Sequence, residues 1–178
     1  MSAILERPVT LKRLLHAGCG SSALPYWFGQ VDEVRLDIDP QWKPDILAGL
    51  TDLGDIGEFD LIYTSHCVEH LYPGDVRVAL SEFYRVTKTG GSCIVIVPDL
   101  EGVQATEEVL YDCEIGPLTG LDLIYGCRFD AGRSSYMAHH SGFVSSTLEA
   151  AMKAAGFEPV TMKRLPQYNL MAVGKRLV

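Results

Sequence analysis

The most informative shortage in this 178-residue sequence is of positive charge. Lysine and arginine together number 15 against 23 acidic residues, which leaves a formal net charge of -8. Because phosphate backbones bind to basic surfaces, we expect no nucleic-acid partner. No apolar run approaches the roughly 20 residues of a membrane-spanning helix, so we expect no membrane span. Internal repeats and low-complexity segments are also missing.

Paired cysteines are the second absence. The five cysteines stand at positions 19, 67, 93, 113 and 127, and no two of them form a CxxC pair. The first eight residues include Glu6 and Arg7 and contain no apolar signal core. This pattern predicts reduced thiols in a cytoplasmic protein. The sequence carries no heptad or dimer motif, so the oligomeric state stays open.

What the sequence does contain is an alternation of strand and helix patterns in a chain long enough for one core. Helices are predicted over 21–29, from Pro73 to a stop at Gly90-Gly91, and over 145–155. The order predicts an α/β, doubly wound, Rossmann-like fold with a mostly parallel sheet of seven or slightly fewer strands. Strands are predicted over 11–17, 31–38, 46–50, 59–64, 92–97, 157–163 and 168–174.

Residues 99–144 interrupt this alternation. They mix acids, glycines, aromatics and a histidine pair without a sustained period, and a helix over 105–111 is the one regular element indicated. We interpret the chain as a single domain, residues 1–178, in which residues 99–144 form a lid over the sheet rather than a second domain.

A glycine-rich turn follows the first predicted strand. Gly18 and Gly20 allow a tight turn and a close ligand approach, and the helix predicted after them would offer free N–H groups. Asp37 lies nineteen residues after Gly18, at the end of the next strand, where a carboxylate can accept both ribose hydroxyl hydrogens. The alternative role for Asp37 is in the turn before Pro40, which Asp39 fits better. Residues 18–23 also fit the dinucleotide fingerprint, so the turn alone leaves nicotinamide cofactors and S-adenosylmethionine open.

Three stretches carry a more specific resemblance. Residues 14–22 (LLHAGCGSS), 34–40 (VRLDIDP) and 59–71 (FDLIYTSHCVEHL) resemble motifs of the class I S-adenosylmethionine-dependent methyltransferases, in particular the small type 11 group. The resemblance continues through residues 82–99 and 139–157 and covers about 12–99 and 139–174 in total. It implies that the last two predicted strands, 157–163 and 168–174, form a hairpin, which gives the sheet a terminal antiparallel strand.

The resemblance implies S-adenosylmethionine as cofactor and assigns residues to its parts. Asp37 would bind the ribose and Ile38 would pack on the adenine. The remaining assignments are Ala17, Gly18, Cys19 and Gly20 to the methionine portion, Asp52 and Leu53 to the adenine edge, and Ser65 and His66 to the methionine and sulfonium end. The sequence departs from the family at His16, where an acidic residue is usual, and at Ser22, where a third glycine is usual.

Histidines are the candidates for acid–base chemistry. An oxygen or nitrogen acceptor that must lose a proton benefits from a base of near-neutral pKa, which points to His70, His139 or His140. His66 and His70 stand four residues apart around Cys67, a spacing that suggests a metal. The resemblance accounts for His70 without a metal, however, and we expect none.

The function expected is methyl transfer to the oxygen or nitrogen of a small-molecule or metabolite acceptor. A nicotinamide-dependent oxidoreductase shares the glycine turn and the acid, but it would need a substrate domain for which 178 residues leave little room. A non-catalytic nucleotide-binding relative of the methyltransferases is the other alternative, and His16 and Ser22 favour it.

Overall fold

The computed structural model describes residues 10–113, 116–127 and 135–178. Within these ranges, three α-helices accompany the strands: α1 (Pro73–Val86), α2 (Gly120–Tyr125) and α3 (Ser145–Ala154). Short 3-10 turns span Tyr26–Phe28, Pro40–Trp42, Val68–His70 and Ser135–Met137. The strands are β1 (Arg13–Ala17), β2 (Asp32–Asp37), β3 (Ile46–Leu47), β4 (Phe59–Ser65), β5 (Thr87–Pro98), β6 (Val109–Cys113), β7 (Gly116–Thr119), β8 (Val160–Leu165) and β9 (Asn169–Lys175).

The central sheet has seven strands in the order β3-β2-β1-β4-β5-β9-β8. Strand β9 pairs antiparallel with both β5 and β8, and the other neighbouring strands pair in parallel. The predicted fold class is confirmed, including the antiparallel strand at the end of the chain. Because the strand order reverses between β1 and β4, the carboxyl ends of these two strands flank the crevice where such sheets bind ligands.

The two longer helices cover one face of the sheet. Buried Leu80 and Phe83 of α1 and Leu148 and Met152 of α3 pack into the main core with the strands. Their spacing of three or four residues puts them on one side of each helix. The opposite face is built on Leu14, Tyr63, Ile94 and Ile96, and the segment after β1 packs against it through Leu24, Phe28 and Val31.

Three predicted local features are wrong. Residues 21–29 hold a single 3-10 turn instead of a helix, because Pro25 is extended (ψ 138°) and Gly29 turns left-handed (φ 64°) three residues after the turn begins. The helix predicted over 105–111 is not formed. Residues 109–113 form β6 instead, which pairs with β7. Helix α1 ends before Gly90-Gly91, at Val86, and its last turn is closed by the Thr87 hydroxyl, which donates to the Phe83 carbonyl.

The 99–144 segment begins and ends at the same place on the sheet. The Leu100 N–H donates to the Phe143 carbonyl, and Asp99 and Phe143 form a parallel bridge just beyond β5. Between these ends lie the β6–β7 hairpin and α2, whose N-terminus carries a capping box between Thr119 and Asp122. The described parts of this segment thus form one closed excursion from the sheet. All five cysteines are free thiols, and no helix of the described ranges combines the length and hydropathy needed to cross a membrane.

Candidate cofactor and acceptor site

The glycine turn after β1 is held by the neighbouring strand. The N–H groups of Gly18 and Cys19 both donate to the Leu36 carbonyl, at 2.8 and 3.1 Å. Gly18 and Gly20 have φ values of 67° and 48°, in the left-handed region that favours glycine. Because no α-helix follows, the free helical N–H groups predicted here are not supplied. The shape of the turn is instead fixed by its two hydrogen bonds to Leu36 of β2.

Asp37 lies at the centre of this arrangement. Its carboxylate accepts hydrogen bonds from the Gly20 N–H at 2.8 Å and from the Asp39 N–H at 2.9 Å. One oxygen serves each bond, and each carboxylate oxygen has a further lone pair. A side-chain carbon on Gly20 would meet nothing within 4 Å, so the space over the turn is open. The neighbouring Ile38 side chain is 52% exposed, an available apolar surface beside the carboxylate.

The residues predicted at the adenine edge are placed differently from each other. Asp52 is exposed, and its carboxylate accepts a bond of 3.2 Å from the Gly54 N–H. Leu53 is only 2% exposed, and its N–H donates to Glu82. Its side chain belongs to the core, so Asp52 is the member of the pair that can reach a ligand.

His16 does not face the turn. It is 2% exposed, its Nδ1 lies 2.8 Å from Glu33 Oε1, and its ring packs against Tyr63. Glu33 in turn lies 3.4 Å from Arg35, whose guanidinium donates to the carbonyl of Gly20 at 2.8 Å. Burial lowers the pKa of His16, although Glu33 acts in the opposite direction. His16 is therefore the buried end of a series of contacts that runs through Glu33 and Arg35 to the glycine turn. The sequence analysis did not identify Glu33 or Arg35.

A cavity of about 310 Å³ lies at the carboxyl ends of β4 and β5, under the 99–144 segment. We call it the insertion cavity, because the segment supplies half or more of its wall. Its lining residues are His66, Glu69, His70, Pro98, Tyr111, Cys113, Leu118, Asp122, Leu123, Cys127, Met137, His139, Gln167 and Asn169.

His66 joins the cofactor side to the insertion cavity. It follows Ser65, the last residue of β4, and turns the chain with φ 50°. Its Nε2 lies 2.7 Å from Asn169 Oδ1, and its Nδ1 lies 3.3 Å from Glu69 Oε1. Of the two residues predicted at the sulfonium end, His66 thus lines the insertion cavity, and Ser65 directly precedes it.

Two of the three histidines predicted for acid–base chemistry meet in this cavity. The rings of His70 and His139 lie 5.0 Å apart, edge to face. His140 does not join them: its exposed ring stacks on Tyr72 at 4.2 Å, on the outside. Burial lowers the pKa of His139, which favours its neutral form. The structure also brings in Glu69, a 1% exposed acid that stands in the same quoted motif as His70 and received no role from the sequence.

Comparison with known proteins shows the family to which this chain belongs. Residues 2–162 match the family model described as the methyltransferase domain. The chain belongs to this family. A search of the curated proteins found no match to this chain.

Solved structures show the same fold. An S-adenosylmethionine-dependent methyltransferase from Mesorhizobium loti superposes with a TM-score of 0.67 at 16% identity, covering 96% of this chain and 94% of that one. The 1,6-didemethyltoxoflavin-N1-methyltransferase of Burkholderia thailandensis, with bound 1,6-didemethyltoxoflavin and S-adenosylhomocysteine, gives 0.62 at 15%, covering 94% and 72%.

Human N-acetylserotonin methyltransferase in complex with SAM gives a TM-score of 0.62 at 14% identity. The match covers 95% of this methyltransferase-domain chain but only 48% of the human chain. This chain therefore spans about half the length of that relative.

Proposed function

We propose that this chain binds S-adenosylmethionine over the glycine turn and transfers its methyl group to an oxygen or nitrogen of a small molecule in the insertion cavity. The observation that carries the proposal is the position of His66. It directly follows Ser65 on the predicted cofactor side and at the same time lines the cavity. A donor and an acceptor would thus meet at one residue.

The residues of the turn fit such a cofactor. Asp37 keeps lone pairs for ribose hydroxyls, the space over Gly20 is open, and the Ile38 surface is available to an adenine ring. When bound, the cofactor supplies a methyl group already activated on a sulfonium. The tasks left to the chain are to orient the acceptor and to exclude water.

We assign the orientation of the acceptor to the histidines of the insertion cavity. We assign the exclusion of water from this cavity to the 99–144 segment. The Nδ1 atoms of His70 and His139 lie 3.1 and 2.9 Å from the carbonyls of Ala138 and Leu123, and a carbonyl can only accept a hydrogen bond. Each Nδ1 therefore carries the proton, and each Nε2 is left with a lone pair that can accept a hydrogen bond from the acceptor. The acidic net charge and the free cysteines support a small-molecule acceptor and a cytoplasmic location.

Calorimetric titration with S-adenosylhomocysteine and, separately, with NAD tests the cofactor. We expect binding of the first and none of the second. Binding of NAD alone would end the methyltransferase proposal in favour of an oxidoreductase.

Turnover is tested by release of S-adenosylhomocysteine in the presence of pooled small hydroxylated and amine-bearing acceptors. Replacement of His70 or His139 by alanine is expected to lower turnover more than tenfold at saturating cofactor. Lost proton transfer typically costs about 10²–10⁴-fold, and lost orientation of the reacting groups costs about 10²-fold. Cofactor binding without turnover on any acceptor would instead identify a non-catalytic relative.

A further inference from the structure

Glu69 is a buried carboxylate that lacks a hydrogen-bond donor. Its side chain is 1% exposed, and within the described ranges neither of its oxygens has a hydrogen-bond partner. The nearest cationic group is the half-exposed ring of His66, whose Nδ1 lies 3.3 Å from Oε1 without hydrogen-bond geometry. Burying an unpaired carboxylate costs several kcal/mol or more, so such groups are usually paired or bind a metal. The His66 ring, whose Nε2 donates to Asn169 and whose Nδ1 faces Oε1, can supply one positive charge at that oxygen. Oε2 has no hydrogen-bond partner within the described ranges, so it is the oxygen available to a further cation.

Two imidazoles share this space, and both are oriented as metal ligands are. His70 and His139 each donate from Nδ1 to a backbone carbonyl, and the opposite nitrogen keeps its lone pair. A metal-ligating histidine almost always makes such a bond through its other ring nitrogen, since the bond fixes the tautomer and the direction of the ring. The pair belongs to elements 69 residues apart in the chain, yet the rings are in contact at 5.0 Å.

The three side chains are close enough to share one ion. One ligand atom from each of Glu69, His70 and His139 lies within 4.8 Å of the other two. Bonds of about 2.0–2.2 Å need ligand atoms about 3–4 Å apart, a spacing that small side-chain rotations reach. Three protein ligands with one open position are the arrangement of catalytic rather than structural zinc sites.

We propose that Glu69, His70 and His139 bind a divalent transition-metal ion, zinc or a first-row neighbour such as manganese or cobalt, with an open coordination position toward the insertion cavity. Two imidazole nitrogens and one carboxylate oxygen suit these ions better than magnesium or calcium, which prefer oxygen ligands throughout. All three residues line the insertion cavity, so a small molecule inside it could complete the coordination.

The backbone holds the site together without an ion. The N–H groups of His140 and Ser141 both donate to the Glu69 carbonyl, at 2.9 and 3.0 Å, and the Ser141 hydroxyl donates to the Leu71 carbonyl at 2.6 Å. We call these three bonds the strap. The strap fixes His139 beside Glu69 and His70, so little chain entropy remains to be lost when an ion binds. The ion occupies a prepared site rather than creating one.

One consequence rests on the proposed function. With the ion bound, the Nε2 lone pairs of His70 and His139 would coordinate it instead of accepting a hydrogen bond from the acceptor. The ion would then bind the reacting oxygen of the acceptor and lower its pKa, as it does for bound water. The hydroxyl proton leaves to solvent, the new O–C bond forms as the C–S bond of the sulfonium breaks, and the sulfur keeps that electron pair. The inference thus narrows the acceptor class from oxygen or nitrogen to oxygen, most simply a hydroxyl.

The test is metal binding by the full chain with no cofactor present. Zinc chloride is titrated calorimetrically into chelator-treated protein, and cobalt chloride is followed by visible absorption. We expect one ion per chain, a rise in the thermal midpoint with zinc, and at least tenfold weaker binding in H139A and E69Q. The neighbouring variant H140A is the matched control, since it removes a histidine that lies outside the cavity, and it should bind as the parent does.

Cys113 and Cys127 also line the insertion cavity and are the competing ligands. In C113S/C127S we expect the ion to stay bound, and the cobalt spectrum of the parent should lack a thiolate charge-transfer band. Loss of the ion in C113S/C127S but not in H139A would overturn the assignment, as would the absence of binding at millimolar zinc. Because these readouts need neither cofactor nor acceptor, they are independent of whether methyl transfer itself is found. H139Q, which preserves size, replaces H139A if the latter fails to fold.

Discussion

Gly18 and Cys67 are in direct contact across the site: a side-chain carbon on Gly18 would lie 2.1 Å from the cysteine Sγ and 2.8 Å from its Cβ. The glycine turn after β1 and the connection after β4 therefore touch where only a hydrogen atom fits. Through this contact the glycine turn packs against the segment that carries His66 and Glu69. Burial, with the charges of Glu69 and Asp37, raises the pKa of Cys67 to about 12, so its thiol stays protonated and serves as packing.

Replacement of Gly18 by alanine is expected to destabilise the protein more than replacement of Gly20. Both positions are left-handed, which costs about 1–2 kcal/mol for a non-glycine residue. Only Gly18 adds a clash with Cys67, worth about 1–3 kcal/mol of overpacking. Urea denaturation of G18A and G20A measures the difference. Equal losses of unfolding free energy in the two variants would mean that the contact with Cys67 relaxes freely.

Replacement of Asp37 by asparagine is expected to weaken binding of S-adenosylhomocysteine by about ten- to hundredfold. Hydrogen bonds to a charged group contribute about 1.5–3 kcal/mol, and the carboxylate is also what orders the Gly20 N–H. D39N is the matched control, because asparagine caps a turn as well as aspartate does and Asp39 bonds to Gln41 rather than to the glycine turn. The measurement is calorimetry. If D37N and the parent protein bind S-adenosylhomocysteine with similar affinity, Asp37 does not contact the cofactor.

His16 predicts a loss of stability in mild acid. Burial lowers its pKa in the folded state, so below about pH 6.5, the ordinary histidine value, the unfolded chain binds more protons than the folded one. Its contribution to stability is complete above that pH and declines as the pH falls toward the lowered folded value, by at most about 1.4 kcal/mol per unit.

The measurement for His16 is the difference in unfolding free energy between the parent protein and H16Q, taken from pH 8 down to pH 5. The difference should change with pH below about 6.5 and stay level above it. H140Q, which alters an exposed histidine, is the reference. A difference curve for H16Q that is flat over the whole range is the outcome that contradicts this account.

Replacement of Gly120 by alanine is expected to reduce methyl transfer while leaving cofactor affinity unchanged. A side-chain carbon on Gly120 would lie 1.9 Å from the Gln104 carbonyl oxygen, so α2 must shift, and α2 carries Asp122 and Leu123 into the insertion cavity. Turnover and S-adenosylhomocysteine binding are measured on the same preparation. G74A in α1, where an added carbon meets nothing within 4 Å, should be neutral or slightly stabilising. Reduced cofactor affinity in G120A would place α2 at the cofactor rather than the acceptor.

The sequence predicted the fold class and the sheet well, because apolar strands and an amphipathic helix such as α1 carry their pattern locally. It failed where a neighbour in space overrides the local pattern, since residues 109–113 pair with β7. It failed also over residues 21–29, where Pro25 and Gly29 permit only one turn. The role proposed for Glu69 could not be predicted from its motif. It depends on the burial of the carboxylate and on His139, a residue distant in sequence that the strap places beside it.

His16 shows the opposite case. By resemblance its position should hold an acid that helps to bind the cofactor, and its difference from the family favoured a non-catalytic relative. In the fold its ring contacts Tyr63 of β4 and its Nδ1 bonds to Glu33 of β2, which is linked to the turn through Arg35. His16 therefore has a structural role, and no local sequence pattern links it to these neighbours.

The meeting of Leu100 with Phe143 has a consequence for how this domain could change. A segment whose two ends are already hydrogen-bonded to each other can vary in length or sequence without requiring the sheet to adjust. Strands β6 and β7 can therefore vary while the sheet stays the same, whereas α2 is tied to His139, because the carbonyls of Leu123 and Tyr125 accept hydrogen bonds from its Nδ1 and its backbone N–H. New acceptor preferences could arise by changes in these two strands while α2, His139 and the glycine turn stay in place.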